Sequence, residues 1–308
     1  VLHDEKAQVM SGQIVLLVDA GNSAIKHRLA YRPAQTQTTL DVIDSRWQIG
    51  PTHRTSNTDA SAAALVRLWR QEIAEFATAP SSTISMSWNS VGPAAIQQMV
   101  AAAYQELTDK AAPPPWISKA RITFPGARRY YDNAYDAPAQ LGADRWVSGA
   151  GLAALGVMAA GESHLVVSAG TATTVDLLLQ QDAMRTVFQG GWILPGIRLM
   201  HDSLRAGTRQ LDYSLPQEIT DAPQVPRDSE SAIAHGLGLA QTALIAQLIE
   251  RYKISAIWLH GGDAQRWLAY AKAFAGAALM PPITERQDLA FLGLLALWGS
   301  DSAGPQQL

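Results

Sequence analysis

Cysteine is absent from the 308 residues, so disulfides, thiolate catalysis and cysteine-based zinc sites are excluded. Charge is sparse: Asp, Glu, Lys and Arg make up 17% of the chain and the formal net charge is -3. Nothing in that balance attracts nucleic acid or an anionic membrane surface. The seven histidines show no H-E-x-x-H or comparable ligand spacing and read as surface or core residues. No G-x-x-x-x-G-K-[ST] occurs, which excludes a P-loop enzyme. The charge-free stretch Trp146–Gly161 is rich in Gly and Ala and too short for a membrane span. The first residues are mixed polar, with Asp4, Glu5 and Lys6, and show no signal peptide. Residues 1–12 are given no structure, and a cytoplasmic location is expected.

What is present is apolar material. Hydrophobic residues are 47% of the chain, enough for a well-filled core, and the length suits two domains of roughly 150 residues each. The chain is organised around Ile14–Lys26. Five aliphatic residues, Ile14 to Val18, suit a strand buried on both faces. The run ends in Asp19-Ala20-Gly21-Asn22-Ser23, and apolar character resumes at Ala24 and Ile25 before Lys26. Strand, acidic tight turn and second strand form a candidate phosphate hairpin. Backbone N–H groups in such a turn can cradle phosphate oxygens, and Asp19 can hold a magnesium ion directly or through water. An ordinary β-hairpin with Asp and Asn serving only the turn is the other reading.

Farther along, Leu40–Ile43 is a short strand candidate. Asp59–Thr78 reads as an amphipathic helix with Leu65, Leu68, Trp69, Ile73 and Phe76 on one stripe. Thr83–Trp88 reads as a strand, and Pro93 opens a helix to about Lys110. Arg121–Phe124 is a strand candidate. Tyr130–Tyr135 reads as a polar aromatic loop, too rich in hydroxyls for a buried core. Leu141–Arg145 leads into a helix ending near Gly161, with the domain boundary placed beside it: 13–145 and 146–308.

His164–Leu179 repeats the opening device. Val166-Val167-Ser168-Ala169-Gly170-Thr171-Ala172 has the layout of Leu17–Ser23 at a shift of 149 positions, from 19 to 168, close to half the chain. Gly190-Gly191 lies in a strand that runs into a helix at Ile197–Ala206; Leu211–Arg227 reads as a loop; Asp228 or Ser229 caps a helix to about Tyr252. Ala256–Leu259 is a strand ending in His260-Gly261-Gly262-Asp263, and Asp288–Trp298 is a last apolar helix. Alternating strands and helices argue an α/β class. A strand–turn–strand heading each half narrows it to a duplicated ribonuclease-H-like fold, with nucleotide between the halves.

Three constellations stay open on residues alone. Gly149-Ala150-Gly151-Leu152-Ala153-Ala154 matches a dinucleotide pattern but follows no aliphatic strand, and it reads as close helix packing. Gly261-Gly262-Asp263 is either an adenine or ribose contact or a plain turn. Asp144-Arg145 is either a surface ion pair or a proton-accepting carboxylate beside a guanidinium that holds an anion.

The ordered set of motifs resembles the type III pantothenate kinases of the actin/Hsp70/sugar-kinase superfamily, from Val15 to about Trp298. Asp19-x-Gly21-Asn22-Ser23-x-x-Lys26 is similar to that family's first phosphate motif. Tyr131-x-Asn133-x-Tyr135 with Leu141–Trp146 is similar to its pantothenate motif, and Gly170-Thr171-Ala172-x-Thr174-x-Asp176 to its second phosphate motif. Gly190–Gly196 and Asp228–Gly236 are similar to later signatures. The resemblance implies that Asp144 accepts the proton of the 4′-hydroxyl of pantothenate, in the first step of coenzyme A biosynthesis. It implies that Tyr135, Gly142, Ala143, Arg145 and Ser229 bind pantothenate. Asp19, Gly21, Asn22, Ser23, Lys26, Gly170 and Thr171 would hold ATP, with magnesium on Asp19. A homodimer whose pocket the partner completes is also implied. Ser168 stands where the family commonly has Asp at a monovalent-cation site, which puts a potassium or ammonium requirement in doubt. A kinase for another small alcohol, and a nucleotide-binding regulatory protein of the same fold, are the alternatives.

Overall fold

The computed structural model describes residues 12–33, 47–76, 83–124, 129–208, 213–215, 225–274 and 280–300. The aliphatic opening run forms β1 (Gln13–Ala20), paired antiparallel with β2 (Ala24–Arg32) and parallel with β5 (Thr83–Ser90). Short strands β3 (Gln48–Ile49) and β4 (His53–Ser56) both pair with β2. Alternate residues of β1 enter different cores: Ile14, Leu16 and Val18 pack with Trp69, Trp88 and Val100, and Val15 and Leu17 face the middle of the molecule. That is burial on both faces, as five consecutive aliphatics require. Helices α1 (Ala62–Phe76) and α2 (Ala94–Thr108) cover the outer face.

The second sheet repeats the plan. Among the described residues its strand order is β12-β11-β8-β9-β10-β7-β6. Here β6 is Arg121–Thr123, β7 Tyr130–Asn133, β8 Ser163–Ala169, β9 Ala172–Asp182, β10 Arg185–Pro195, β11 Ile254–His260 and β12 Ile283–Glu285. The hairpin β8–β9 is antiparallel, and β11 runs parallel to β8, as β5 does to β1. Its outer face carries α5 (Ser229–Tyr252) and α6 (Ala264–Phe274) through Ile245, Leu248, Trp267 and Tyr270, with α4 (Ile197–Gly207) entering the same core at Ile197. By length and composition α5 could cross a bilayer, yet Leu237, Ile245 and Leu248 are buried in this protein core.

Between the sheets lie α3 (Ala143–Leu155) and α7 (Leu289–Ser300), packed on each other. A Cβ on Gly151 would strike the Leu289 carbonyl, and one on Gly293 would strike that of Val147. The small residues of 149–154 therefore serve close helix packing. Gly156, at φ +63°, ends α3 earlier than the expected stop near Gly161.

The polar aromatic stretch needs correction. The stretch Tyr130–Tyr135 is not a loop throughout: its first four residues form β7, with Tyr131 fully buried. Its ring stacks on Trp146 at 4.1 Å between centroids, and its hydroxyl donates to the Trp146 carbonyl at 3.3 Å. A satisfied hydroxyl removes the burial cost that argued for a loop. Asp132, also buried, is paired with Arg121 and Arg185. Strands β6 and β7 join the second sheet, and α7 packs beneath β1 and β5 of the first. Leu40–Ile43 and most of Leu211–Arg227 lie outside the described residues.

Candidate active site

The two turns face each other across a cleft of about 680 Å³. Its lining includes Asp19, Gly21, Asn22, Ser23 and Lys26 from the first hairpin, Ser168, Gly170 and Thr171 from the second, and Asp144 and Arg145 from α3. The hydroxyls of Ser23 and Thr171 are 3.1 Å apart, so the turns meet directly. Each is backed by a glycine at the start of a helix segment. A Cβ on Gly92 would crowd the Gly21 carbonyl, and one on Gly196 would overlap the Gly170 and Thr171 carbonyls. Neither Gly21 nor Gly170 has positive φ. Their value is the missing side chain above the turn, not an unusual backbone.

In the first turn, Asp19 lies opposite Lys26 across the hairpin, with Nζ 4.0 Å from the carboxylate. Asn89, fully buried on β5 in register with Asp19, donates from Nδ2 to Asp19 Oδ1 at 3.1 Å. The Asn57 amide donates to the carbonyls of Gly21 and Asn22 at 3.0 and 2.8 Å. Carboxylate oxygens of this kind, held but not caged, fit magnesium, which keeps several waters and shares phosphate oxygens. No cluster of three or more His, Asp or Glu suited to a metal occurs among the described residues.

The second turn differs. Ser168 is paired across the sheet with Thr174 on β9 and His260 on β11, and all three line the cleft. This row holds no carboxylate. The nearby acid on the same hairpin, Asp176, is committed elsewhere. It accepts from Arg145 through Nε, at 2.8 Å, and through a terminal nitrogen. A side chain on Gly191 would collide with that pair.

Asp144 sits in the first turn of α3 and accepts the Arg145 backbone N–H at 2.9 Å. Burial raises its pKa, and the nearby Asp19 charge raises it further. Asp144 and Arg145 are therefore not a surface ion pair: Arg145 is buried and turned to Asp176 and to the Tyr135 hydroxyl, the latter at 2.8 Å. Burial works against the guanidinium, and Asp176 and Tyr135 together more than offset it, leaving Arg145 above its ordinary value. Burial pushes Asp176 up to about 6 despite the Arg145 bonds. Arg145 has further N–H donors on its terminal nitrogens for an anion in the cleft.

Tyr135 is brought to the site by its bond to Arg145, and Gly142 caps α3 immediately before Ala143. Ser229 is not brought in: it is exposed at the start of α5, whose cap is Asp228, accepting from Ser231 N–H at 2.8 Å. The Gly261-Gly262-Asp263 turn reaches the cleft through Gly262 and Asp263, and Asp263 accepts from Arg198 at 2.7 Å. Residues that motif reading passed over include Asn57, Asn89, Ser148 and His260. Asn89 and His260 end parallel strands, the place where α/β sheets present ligand groups, and that rule was the signal available for them.

The profile of the type III pantothenate kinases matches residues 15–251. The chain belongs to that family. A type III pantothenate kinase of Cupriavidus taiwanensis is 32% identical over 304 residues, covering 93% of this chain and 98% of the relative. One of Bordetella petrii is 39% identical over 182 residues, with 53% of this chain and 63% of that relative's length covered. Among solved structures, glucokinase from an Antarctic psychrotroph is 10% identical with a TM-score of 0.43, covering 92% of this chain and 98% of that one. The paired sheets, each opened by a strand–turn–strand, form the duplicated α/β fold expected of a type III pantothenate kinase.

Proposed function

We propose that the cleft between the two turns transfers the γ-phosphoryl group of ATP to the 4′-hydroxyl of pantothenate, with Asp144 as proton acceptor. The activity is that of the family: an alcohol-accepting phosphotransferase at the head of coenzyme A biosynthesis. The observation that carries the residue assignment is a half-buried carboxylate lining the cleft between two phosphate-type turns. Burial and the Asp19 charge raise the pKa of Asp144, which makes its carboxylate a stronger base.

In this reading Gly21, Asn22, Ser23, Gly170 and Thr171 present backbone and hydroxyl donors to the phosphates, and Lys26 adds charge to the transferring group. Asp19 would hold a magnesium ion, which would supply charge neutralisation during phosphoryl transfer. Arg145, fixed by Asp176 and Tyr135, offers its remaining donors to the pantothenate carboxylate, beside Gly142 and Ala143. Little covalent chemistry falls to the protein; positioning and charge do the work. The neutral Thr174–Ser168–His260 row supports turnover with weak or absent potassium or ammonium activation. The reading includes a cytoplasmic homodimer whose partner subunit would present Ser229 to the pocket, the dimer being tested by light scattering.

The experiment is coupled ADP detection with pantothenate and a panel of other small alcohols and acids. Pantothenate-dependent ADP release supports the assignment. Preference for another acceptor would make the chain a kinase of different substrate, and ATP binding without turnover would make it regulatory.

A further inference from the structure

His260 is not assigned a role by the phosphate and pantothenate motifs, yet its surroundings are not those of a core histidine. It ends β11, a parallel strand, at the edge that faces the cleft. Only 9% of the residue is exposed, and its Nε2 is buried with no hydrogen-bond partner among the described residues. Its cross-strand neighbour is Ser168, the residue that opens the second phosphate turn. The chain after it folds away at Gly261, whose φ of +107° tucks the backbone beneath the Ala169 carbonyl, where a side chain has no room. The imidazole therefore stands beside the root of the second turn, close enough to Lys26 of the first hairpin to sense its charge. A buried ring nitrogen left without a partner loses its hydration and gains nothing in return. An apolar side chain would fill the place at lower cost unless something arrives to bond with it.

We propose that His260 is a further nucleotide-binding residue, donating its Nε2 N–H to a phosphate oxygen of the ATP gripped by the two turns. This rests on the reading of those turns as the ATP site. Burial first, then the Lys26 ammonium, hold the ring down to about 4, so it acts as a neutral donor. A neutral donor suits this position. It bonds an anionic oxygen without adding a second cation beside Lys26, and it completes a row with the hydroxyls of Thr174 and Ser168. In that row Ser168 and His260 line the cleft without charge, while the Thr174 hydroxyl donates to Asp176 at 3.5 Å.

The test uses the non-hydrolysable imido analogue of ATP, with magnesium, on the full chain. His260→Leu is expected to weaken analogue binding and raise KM for ATP by about tenfold, the scale of one hydrogen bond to a charged group. Its KM for pantothenate and its kcat should change by less than about twofold, a split that general loosening of the fold does not produce. His260→Gln, which restores an N–H donor, should recover part of the loss. Imidazole nitrogen NMR on the wild-type protein gives a reading that needs no variant to fold. The resonance of His260 Nε2 should move when the analogue is added and stay in place with pantothenate alone. Undiminished analogue binding by His260→Leu, or an unmoved resonance in wild-type protein that binds the analogue, overturns the inference alone. Wild-type protein that binds no analogue overturns the ATP reading of the turns and this inference with it.

Discussion

The first turn opens on Asp19 and the second on Ser168, and the surroundings of each follow from that difference. Around Asp19 the structure keeps a charge available: Asn89 orients one oxygen, Lys26 stands off at 4.0 Å, and the cleft lies open to the carboxylate. Around Ser168 the paired residues are neutral, with Thr174 on one side and His260 on the other. The cleft-lining acid of the second hairpin, Asp176, is bound by Arg145. In the proposed reading the first turn holds the metal on Asp19, and the carboxylate Asp176 of the second hairpin holds the arginine beside Asp144.

Changes that break this division should rank as follows. Asp176→Ala leaves Arg145 buried without its acid, and about 3–5 kcal/mol of stability should be lost, read as a fall in the urea midpoint; an unchanged midpoint would show that Arg145 does not depend on Asp176. Asp144→Asn comes next, with turnover lowered by roughly 100-fold or more, about 2.7 kcal/mol on the barrier, while ATP still binds. The pH profile has a definite sign. A base works deprotonated, so kcat/KM should fall as pH drops through the Asp144 pKa, at a pH above the ordinary carboxylate range because that pKa is raised. An acid limb at an unshifted aspartate value would contradict that assignment. Asn89→Ala frees Asp19 to rotate, and kcat/KM for ATP should drop roughly tenfold, about 1.4 kcal/mol, with higher magnesium recovering part of it. The smallest effect concerns the second turn. Removing potassium should change wild-type turnover less than about twofold, whereas Ser168→Asp should make it potassium-dependent; these are hydrogen-bond-scale differences. Strong potassium stimulation of the wild type would erase the contrast between the turns.

Much of this was legible in the order of residues, because the informative signals are local. Five aliphatics before an acidic turn define β1 and the hairpin, and its echo at Ser168 reveals the duplication. Asp144 and Arg145 stand out as neighbours. Their partners do not, since Asp176 and Tyr135 reach Arg145 only through tertiary packing. Tyr131 was misread because hydroxyl content suggested exposure, while the carbonyl that satisfies it, on Trp146, comes from a helix turn no local pattern announces. Asn89 and His260 are single polar residues at strand ends, and the register that sets them beside Asp19 and Ser168 comes from sheet pairing. The membership of β6 and β7 in the second sheet is likewise a non-local pairing.

The most direct measurement is ADP release by the wild-type protein and by Asp144→Asn, with ATP, magnesium and pantothenate, alongside ATP-analogue binding by both. The structure predicts pantothenate-dependent ADP release by the wild type, a loss of roughly 100-fold in the variant, and equal analogue binding. Near-wild-type turnover by Asp144→Asn, or ADP release indifferent to pantothenate, would contradict the assignment of the base and the acceptor.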